Sequence, residues 1–159
     1  MTRSQLEHII RAAGTIADDE DIVVVGSQAT LGEFPEAPEE LLVSREAVVY
    51  PRTHGVGPET AVLPAGWEGR LVMVSNANTR FVRGWCLEVH DLAISKLVAG
   101  REKDLDFVGA LGRHGMARGE VLRERLAVTE LDGRVRELVA GRIGRCFDFV
   151  GAEEDGAFL

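Results

Sequence analysis

The chain has 159 residues, of which 45 % are hydrophobic and 28 % charged, and its formal net charge is −8. These values are typical of one globular domain with a hydrophobic core, and the acidic balance argues against nucleic-acid binding by the whole surface, although a local basic site is compatible with it. No apolar stretch reaches the roughly 18 residues that span a bilayer, and the N-terminus lacks the pattern of a signal peptide, so we expect a cytoplasmic protein that does not enter membranes.

The first half of the chain predicts one helix followed by short strands. Apolar residues at helical spacing predict a helix over residues 3–17, with Ser4 as its N-cap. A β-branched run predicts a strand over 21–25, a short helix follows over 28–32, and a second strand is predicted over 47–50. Three further segments are strand candidates: 60–63, 70–74 and 85–89.

From His90 onwards the apolar residues recur at helical spacing. Four helices are predicted there: 91–100, 105–113, 118–126 and 131–143. Gly100 is placed to end the first of them, because glycine is the usual residue of a left-handed C-cap. We therefore divide the chain into a sheet half (1–89), a helical half (90–150) and a disordered tail (151–159).

A Gly-Ser pair, Gly26 and Ser27, follows the first predicted strand. Glycine lets the backbone approach a bulky or charged group, and Ser27 offers a hydroxyl and an N–H where a helix could begin and bind an anion. The carboxylate of Glu46, near the second strand, could lie opposite this turn with a metal between them. Many strands end in Gly-Ser only because the chain turns there. The pair alone is therefore also compatible with a simple turn that binds nothing.

Charged residues cluster where two of the predicted helices meet. Lys96, Arg101 and Lys103 lie around the end of one helix, and Asp104 lies at the start of the next. Cations are favourable at a helix C-terminus and acids at an N-terminus, so the cluster is open to a purely structural interpretation. The alternative is that its cations face phosphate groups.

Some other side chains have a structural and a functional interpretation. Glu88 is a candidate for an additional metal-binding acid, and Trp67 and Trp85 are expected to pack over the sheet, with base stacking as the alternative. The arginines of the last helices are interleaved with glutamates, which favours a solvated face over RNA binding. Cys86 and Cys146 are far apart in the sequence and are expected to be reduced.

Six stretches, in chain order, carry a family pattern: 22–29, 42–47, 50–52, 55–61, 63–67 and 87–104. Together they resemble the DUF6036 group of predicted nucleotidyltransferases, relatives of the AbiEii-type toxins within the DNA polymerase β-like superfamily. The resemblance implies an α/β, polymerase β-like nucleotidyltransferase fold, with a small mixed sheet and a helical C-terminal part.

The resemblance also implies a role for each residue that matches the family motifs. The implied catalytic residues are Glu46, Lys96 and Asp104, with Asp104 holding the cationic cluster in place and Glu46 binding Mg²⁺. The implied nucleotide-binding residues are Gly26, Ser27, Arg101 and Lys103. Divalent metals bridge phosphate oxygens and are held by carboxylates, so these residue types suit the implied chemistry.

Two departures from the family pattern leave two functions open. The family places a second acid two residues after the first, and this chain has Val48 there; the connection over 53–55 is also short. One hypothesis is a Mg²⁺-dependent enzyme that transfers NMP from an NTP to an acceptor, with RNA or protein as candidates. The other is a catalytically inactive descendant that binds a nucleotide or a partner protein. The kinship with toxins implies a cognate antitoxin as a partner.

Overall fold

The computed structural model describes residues 1–44, 47–55, 57 and 60–156, with side chains up to Asp148. Its helices are α1 (Arg3–Ala17), α2 (Thr30–Glu33), α3 (Val89–Ala99), α4 (Glu102–Arg113), α5 (Gly119–Ala127) and α6 (Gly133–Gly156). Its strands are β1 (Asp21–Val24), β2 (Val49–Pro51), β3 (Val72–Val74) and β4 (Arg83–Cys86). This confirms the predicted mixed α/β architecture, in which a small sheet precedes a helical part.

The four strands form one mixed sheet in the order β2-β1-β4-β3. β1 pairs in antiparallel fashion with β2 and in parallel fashion with β4, and Val23 lies opposite both Tyr50 and Trp85. β3 joins the other side of β4 as an antiparallel neighbour. The prediction that the first two strands share one sheet is therefore confirmed.

Helices α1 and α2 pack on one face of the sheet. Gly84 of β4 leaves room for α1, because a Cβ at this position would lie only 2.4 Å from Ile10 Cδ1. Gly32 of α2 fits against Cys86 in the same way, with 2.6 Å from its ideal Cβ to the Cys86 Cβ. Since side chains alternate along a strand, Val23 and Trp85 project from the opposite face.

The helical half packs around a core in which Leu92, Leu97, Leu111, Leu122 and Ile143 are fully buried. Arginines also tie these helices together. Arg136 Nη2 donates to the Thr129 carbonyl at 2.6 Å, and Arg142 Nη1 donates to the Leu97 carbonyl at 2.6 Å. The expectation of a solvated arginine face is therefore wrong for these two side chains, because the packing of α6 brings carbonyl groups of other segments within their reach.

Several predicted elements differ from the structure. The strand expected over 85–89 lies at Arg83–Cys86, and the helix expected to end at 143 continues to Gly156. The segment at 60–63 contains no strand, and just after it the Ala65 N–H donates to the Val128 carbonyl at 2.9 Å, so this part of the chain meets the helical half. The N-cap of α1 is Thr2 rather than Ser4, because Thr2 and Gln5 form a reciprocal capping box.

Within the described residues, no helix combines the length and the apolar character that crossing a membrane requires. The division of the chain into 1–89, 90–150 and 151–159 stays a prediction.

Candidate functional site

The Gly-Ser turn lies directly beyond β1. Ser27–Ala29 forms a 3₁₀ turn, and the Ala29 N–H donates to the Gly26 carbonyl at 2.8 Å. Gly26 has φ −83° and ψ −175°, an extended conformation that any residue adopts. Crowding favours glycine here instead, since an ideal Cβ would lie 3.3 Å from Val48 Cγ2 and Val48 would have to shift slightly. The absence of a side chain thus lets the segment before β2 approach the turn.

Val48 continues the pairing between β1 and β2 by accepting a hydrogen bond from the Val25 N–H at 3.0 Å. Its side chain is 37 % exposed. Ser27 is half-buried, and among the described residues its hydroxyl has no hydrogen-bond partner. The turn therefore presents an available hydroxyl group on the residue after Gly26, the glycine that Val48 approaches.

Glu46, the predicted catalytic and metal-binding carboxylate, lies outside the described residues. Among the residues that are described, no group of three or more His, Cys, Asp or Glu side chains could hold a metal ion. The described part of the site therefore does not by itself fit a Mg²⁺ ion. Binding of Mg²⁺ would depend on Glu46.

Gln28 is a buried residue of the turn that the sequence analysis did not single out. Its side-chain Nε2 donates to the Ser44 carbonyl, and its Oε1 has no partner among the described residues. The amide thus attaches the segment at 42–44 to the Gly-Ser turn. A glutamine after Gly-Ser gives no sequence signal for this contact, because it joins residues 16 positions apart.

The predicted basic cluster assembles at the junction of α3 and α4. The Lys96 Nζ lies 3.6 Å from Asp104 Oδ1 and 5.4 Å from the centre of the Phe107 ring. Arg101 Nε donates to Asp104 Oδ2 at 2.8 Å. The Asp104 side chain is 1 % exposed, whereas those of Lys96 and Arg101 are 17 % and 60 % exposed. One buried carboxylate therefore holds two cations.

Asp104 also caps α4, because its carboxylate accepts the Arg101 backbone N–H at 3.2 Å. Asp104 thus both caps the helix and pairs with the two cations. Burial lowers the pKa of Lys96, and the nearby Asp104 charge opposes that effect. The hydrogen bond to Asp104 raises the pKa of Arg101. Lys103 lies exposed on the first turn of α4 and forms no ion pair with a described residue.

The turn and the basic cluster belong to neighbouring elements, since α3 contacts the Ser27–Ala29 turn. Within the described part of the chain, no hydrogen bond or ion pair joins Gly26 or Ser27 to Lys96, Arg101, Lys103 or Asp104. The structure therefore brings three of the predicted residues into one cluster and places the turn against the helix that carries Lys96.

A buried ionic network at the start of α3 was missed by the sequence analysis. Asp91 is fully buried, and its carboxylate accepts Arg125 Nη1 at 2.8 Å and Arg70 Nε at 2.8 Å. Glu88 caps α3 and accepts Arg125 Nη1 at 2.7 Å and the His90 N–H at 3.0 Å. Its carboxylate is therefore engaged in protein contacts, which disfavours its use as an additional metal ligand.

The pKa of Glu88 reflects this network. Burial acts to raise its pKa, but hydrogen bonds from His90 and Arg125 outweigh burial and lower the pKa to about 2. The pKa of Glu33 is shifted in the opposite direction, because burial and the nearby Glu88 charge raise it. The network thus joins the sheet half to α5 through charged side chains.

Residues 4–131 match a family model described as a nucleotidyltransferase of unknown function, DUF6036. The match includes all four strands, α2 to α5 and every predicted site residue. No curated protein and no solved structure matched the chain.

Proposed function

Because the chain belongs to the DUF6036 family of nucleotidyltransferases, we propose that it transfers NMP from an NTP to an acceptor, with RNA and protein as the candidate acceptors. The observation that carries this proposal is the turn at Gly26, where the absence of a side chain lets Val48 approach. Val48, which precedes β2, thus lies against the turn that carries the Ser27 hydroxyl.

In this proposal the triphosphate binds between the turn and the basic cluster. The Ser27 hydroxyl donates to a phosphate oxygen, and Lys96, Arg101 and Lys103 offset its negative charge. Lys96 interacts strongly because its partly buried ammonium group is poorly screened by water. Asp104 is buried and fully engaged, so it acts as a positioning residue that fixes two of these cations.

The proposed reaction requires little covalent chemistry from the protein. An acceptor oxygen attacks the α-phosphorus, the bond between the α-phosphorus and the bridging oxygen breaks, and pyrophosphate leaves with that oxygen. The proton of the acceptor passes to solvent. Positioning of the reactants and stabilisation of developing charge are the contributions available to the residues above. Mg²⁺, which Glu46 would bind, would neutralise further phosphate charge.

A second candidate function is favoured by Val48, which stands where the family pattern has a second acid. A chain with one carboxylate in this segment is a weak site for a hard cation, because each carboxylate ligand adds a full negative charge. The candidate is an inactive descendant that binds a nucleotide or a partner protein such as a cognate antitoxin.

Labelled NTPs, supplied one at a time with RNA or protein acceptors, separate the two functions. We expect a labelled product that requires Mg²⁺, is lost in Glu46→Gln and Lys96→Met, and persists in the exposed control Glu36→Gln. Absence of product with every NTP would contradict the transferase. Calorimetric binding of ATP or GTP that is independent of Mg²⁺ would then favour the inactive descendant.

A further inference from the structure

The sheet face opposite α1 carries a cluster of an aromatic ring and charged side chains that the proposed transfer reaction does not use. We call it the Trp85 platform and define it by Trp85 and Arg52, with Asp21 and Arg83 as supports. Trp85 and Arg83 project from β4 and Asp21 from β1, while Arg52 follows β2. The platform therefore assembles only when three strands pair.

The indole ring of Trp85 is held in a fixed orientation. Its Nε1 donates to Asp21 Oδ1 at 2.8 Å. Arg83 forms a fork on the same carboxylate, with Nε at 2.6 Å and Nη2 at 2.8 Å. These hydrogen bonds, first from Arg83 and then from Trp85, lower the pKa of Asp21 to about 2. The acid is therefore ionised at neutral pH, and it shares Arg83 with Glu20, whose Oε2 lies 3.8 Å from Arg83 Nη2.

Arg52 completes the platform with a flat cation whose charge helps to lower the pKa of Asp21. Its guanidinium carbon lies 4.7 Å from the centre of the Trp85 ring, and the side chain is exposed. Among the described residues it forms no hydrogen bond and no ion pair. A guanidinium plane on an aromatic ring is a surface on which a nucleobase stacks, and its free N–H groups suit a phosphate.

The platform lies on the sheet side of the proposed NTP site. Trp85 is opposite Val23, which precedes Gly26 by three residues, or about 10 Å along an extended strand. The cations Lys96 and Arg101 are instead at the junction of α3 and α4, and α3 contacts the turn from the helical half. An NTP bound between the turn and these cations leaves the sheet side for the acceptor.

We propose that the Trp85 platform binds a nucleobase near the end of a single-stranded nucleic acid, which is the acceptor of the transferred NMP. That the bound nucleic acid is the acceptor rests on the proposed function. The binding itself requires neither NTP nor metal. The net charge of −8 makes the rest of the surface unfavourable for nucleic acid. Binding should therefore be local, weak and strongly reduced by salt.

The test is fluorescence anisotropy of a labelled, single-stranded oligonucleotide at low salt, without NTP or Mg²⁺. Arg52→Gln and Trp85→Leu are compared with Arg134→Gln, an exposed arginine of α6, and Trp67→Leu. We expect the two platform variants to raise Kd at least about fivefold, the range for loss of one stacked base. The two controls should bind like the wild type. Arg52→Gln removes no hydrogen bond of the sheet, so it tests the platform even where Trp85→Leu does not fold.

Intrinsic fluorescence gives an independent readout, because the chain has two tryptophans and Trp67→Leu leaves Trp85 alone. Emission from Trp85 should change saturably with oligonucleotide and remain constant with inorganic phosphate. Absence of binding at low salt, or equal weakening in Arg52→Gln and Arg134→Gln, would overturn the inference. Transfer of label to a protein acceptor without oligonucleotide binding would also overturn it. The proposed function is tested separately, by calorimetric measurement of NTP binding, so that its failure is distinguished from failure of the platform.

Discussion

Asp104→Asn tests the cationic cluster most directly, because it removes one buried charge while keeping the size of the side chain. The amide oxygen of asparagine can still accept the Arg101 backbone N–H, so much of the helix cap is retained. Lys96 loses the carboxylate that lies 3.6 Å from its Nζ and stays mostly buried, with 17 % of the side chain exposed. The variant therefore leaves a poorly solvated cation without its partner.

Breaking a fully buried ion pair costs about 3–5 kcal/mol of the free energy of unfolding. Lys96 keeps some exposure and its contact with the Phe107 ring, and the exposed Arg101 contributes little, so we expect a loss of about 2–3 kcal/mol. For a chain of this length each kcal/mol shifts Tm by about 2–4 °C, which gives a decrease of about 4–12 °C.

Thermal unfolding followed by circular dichroism measures this difference. Asp106→Asn is the matched control, because it removes the same charge from an exposed position of α4. The double variant Lys96→Met with Asp104→Asn should lose less stability than the sum of the single variants, since no largely buried cation is then left unpaired. Equal decreases in Tm for Asp104→Asn and Asp106→Asn would refute the pairing and the positioning role based on it.

Three further predictions address the turn and the acidic network. Val48→Asp should lower Tm in EDTA and regain part of it with Mg²⁺, while the wild type responds little; equal responses of both proteins to Mg²⁺ would contradict a metal site in this segment. Gly26→Ala should lower Tm in the wild type and have a smaller effect in a Val48→Ala background, because the added Cβ would lie 3.3 Å from Val48 Cγ2; additive effects of the two substitutions would exclude this contact. Folding lowers the pKa of Glu88 from its ordinary value of 4.5 to about 2, so its contribution is present above pH 4.5 and lost as pH falls towards 2. Melting curves across this range should therefore depend less on pH in Glu88→Gln than in the exposed control Glu36→Gln, and identical pH profiles would show that Glu88 is not stabilised as a carboxylate.

Local sequence patterns were sufficient to predict most of the regular elements and the cluster of charged residues between α3 and α4. Helix α1 and the helices after His90 follow from apolar spacing, and Gly100 ends α3 in the left-handed conformation that the sequence predicted. Lys96, Arg101 and Asp104 are close in the sequence and flank a tight connection between two helices. Their meeting in space is therefore a local consequence of helix geometry, and the ordered motifs were sufficient to predict the family.

Long-range contacts decided the rest, because no local pattern records which distant groups meet. Gly26 gives a turn signal, but its crowding by Val48 depends on the register of β1 and β2. The pairing of Asp91 with Arg125 spans 34 positions, and that of Trp85 with Asp21 spans 64. Each of these polar groups is unfavourable when buried without a partner, and only the folded chain supplies that partner. The sequence therefore determined the elements and the family, whereas the tertiary structure decided which charges are satisfied internally and which, such as Arg52, form no ion pair with a described residue.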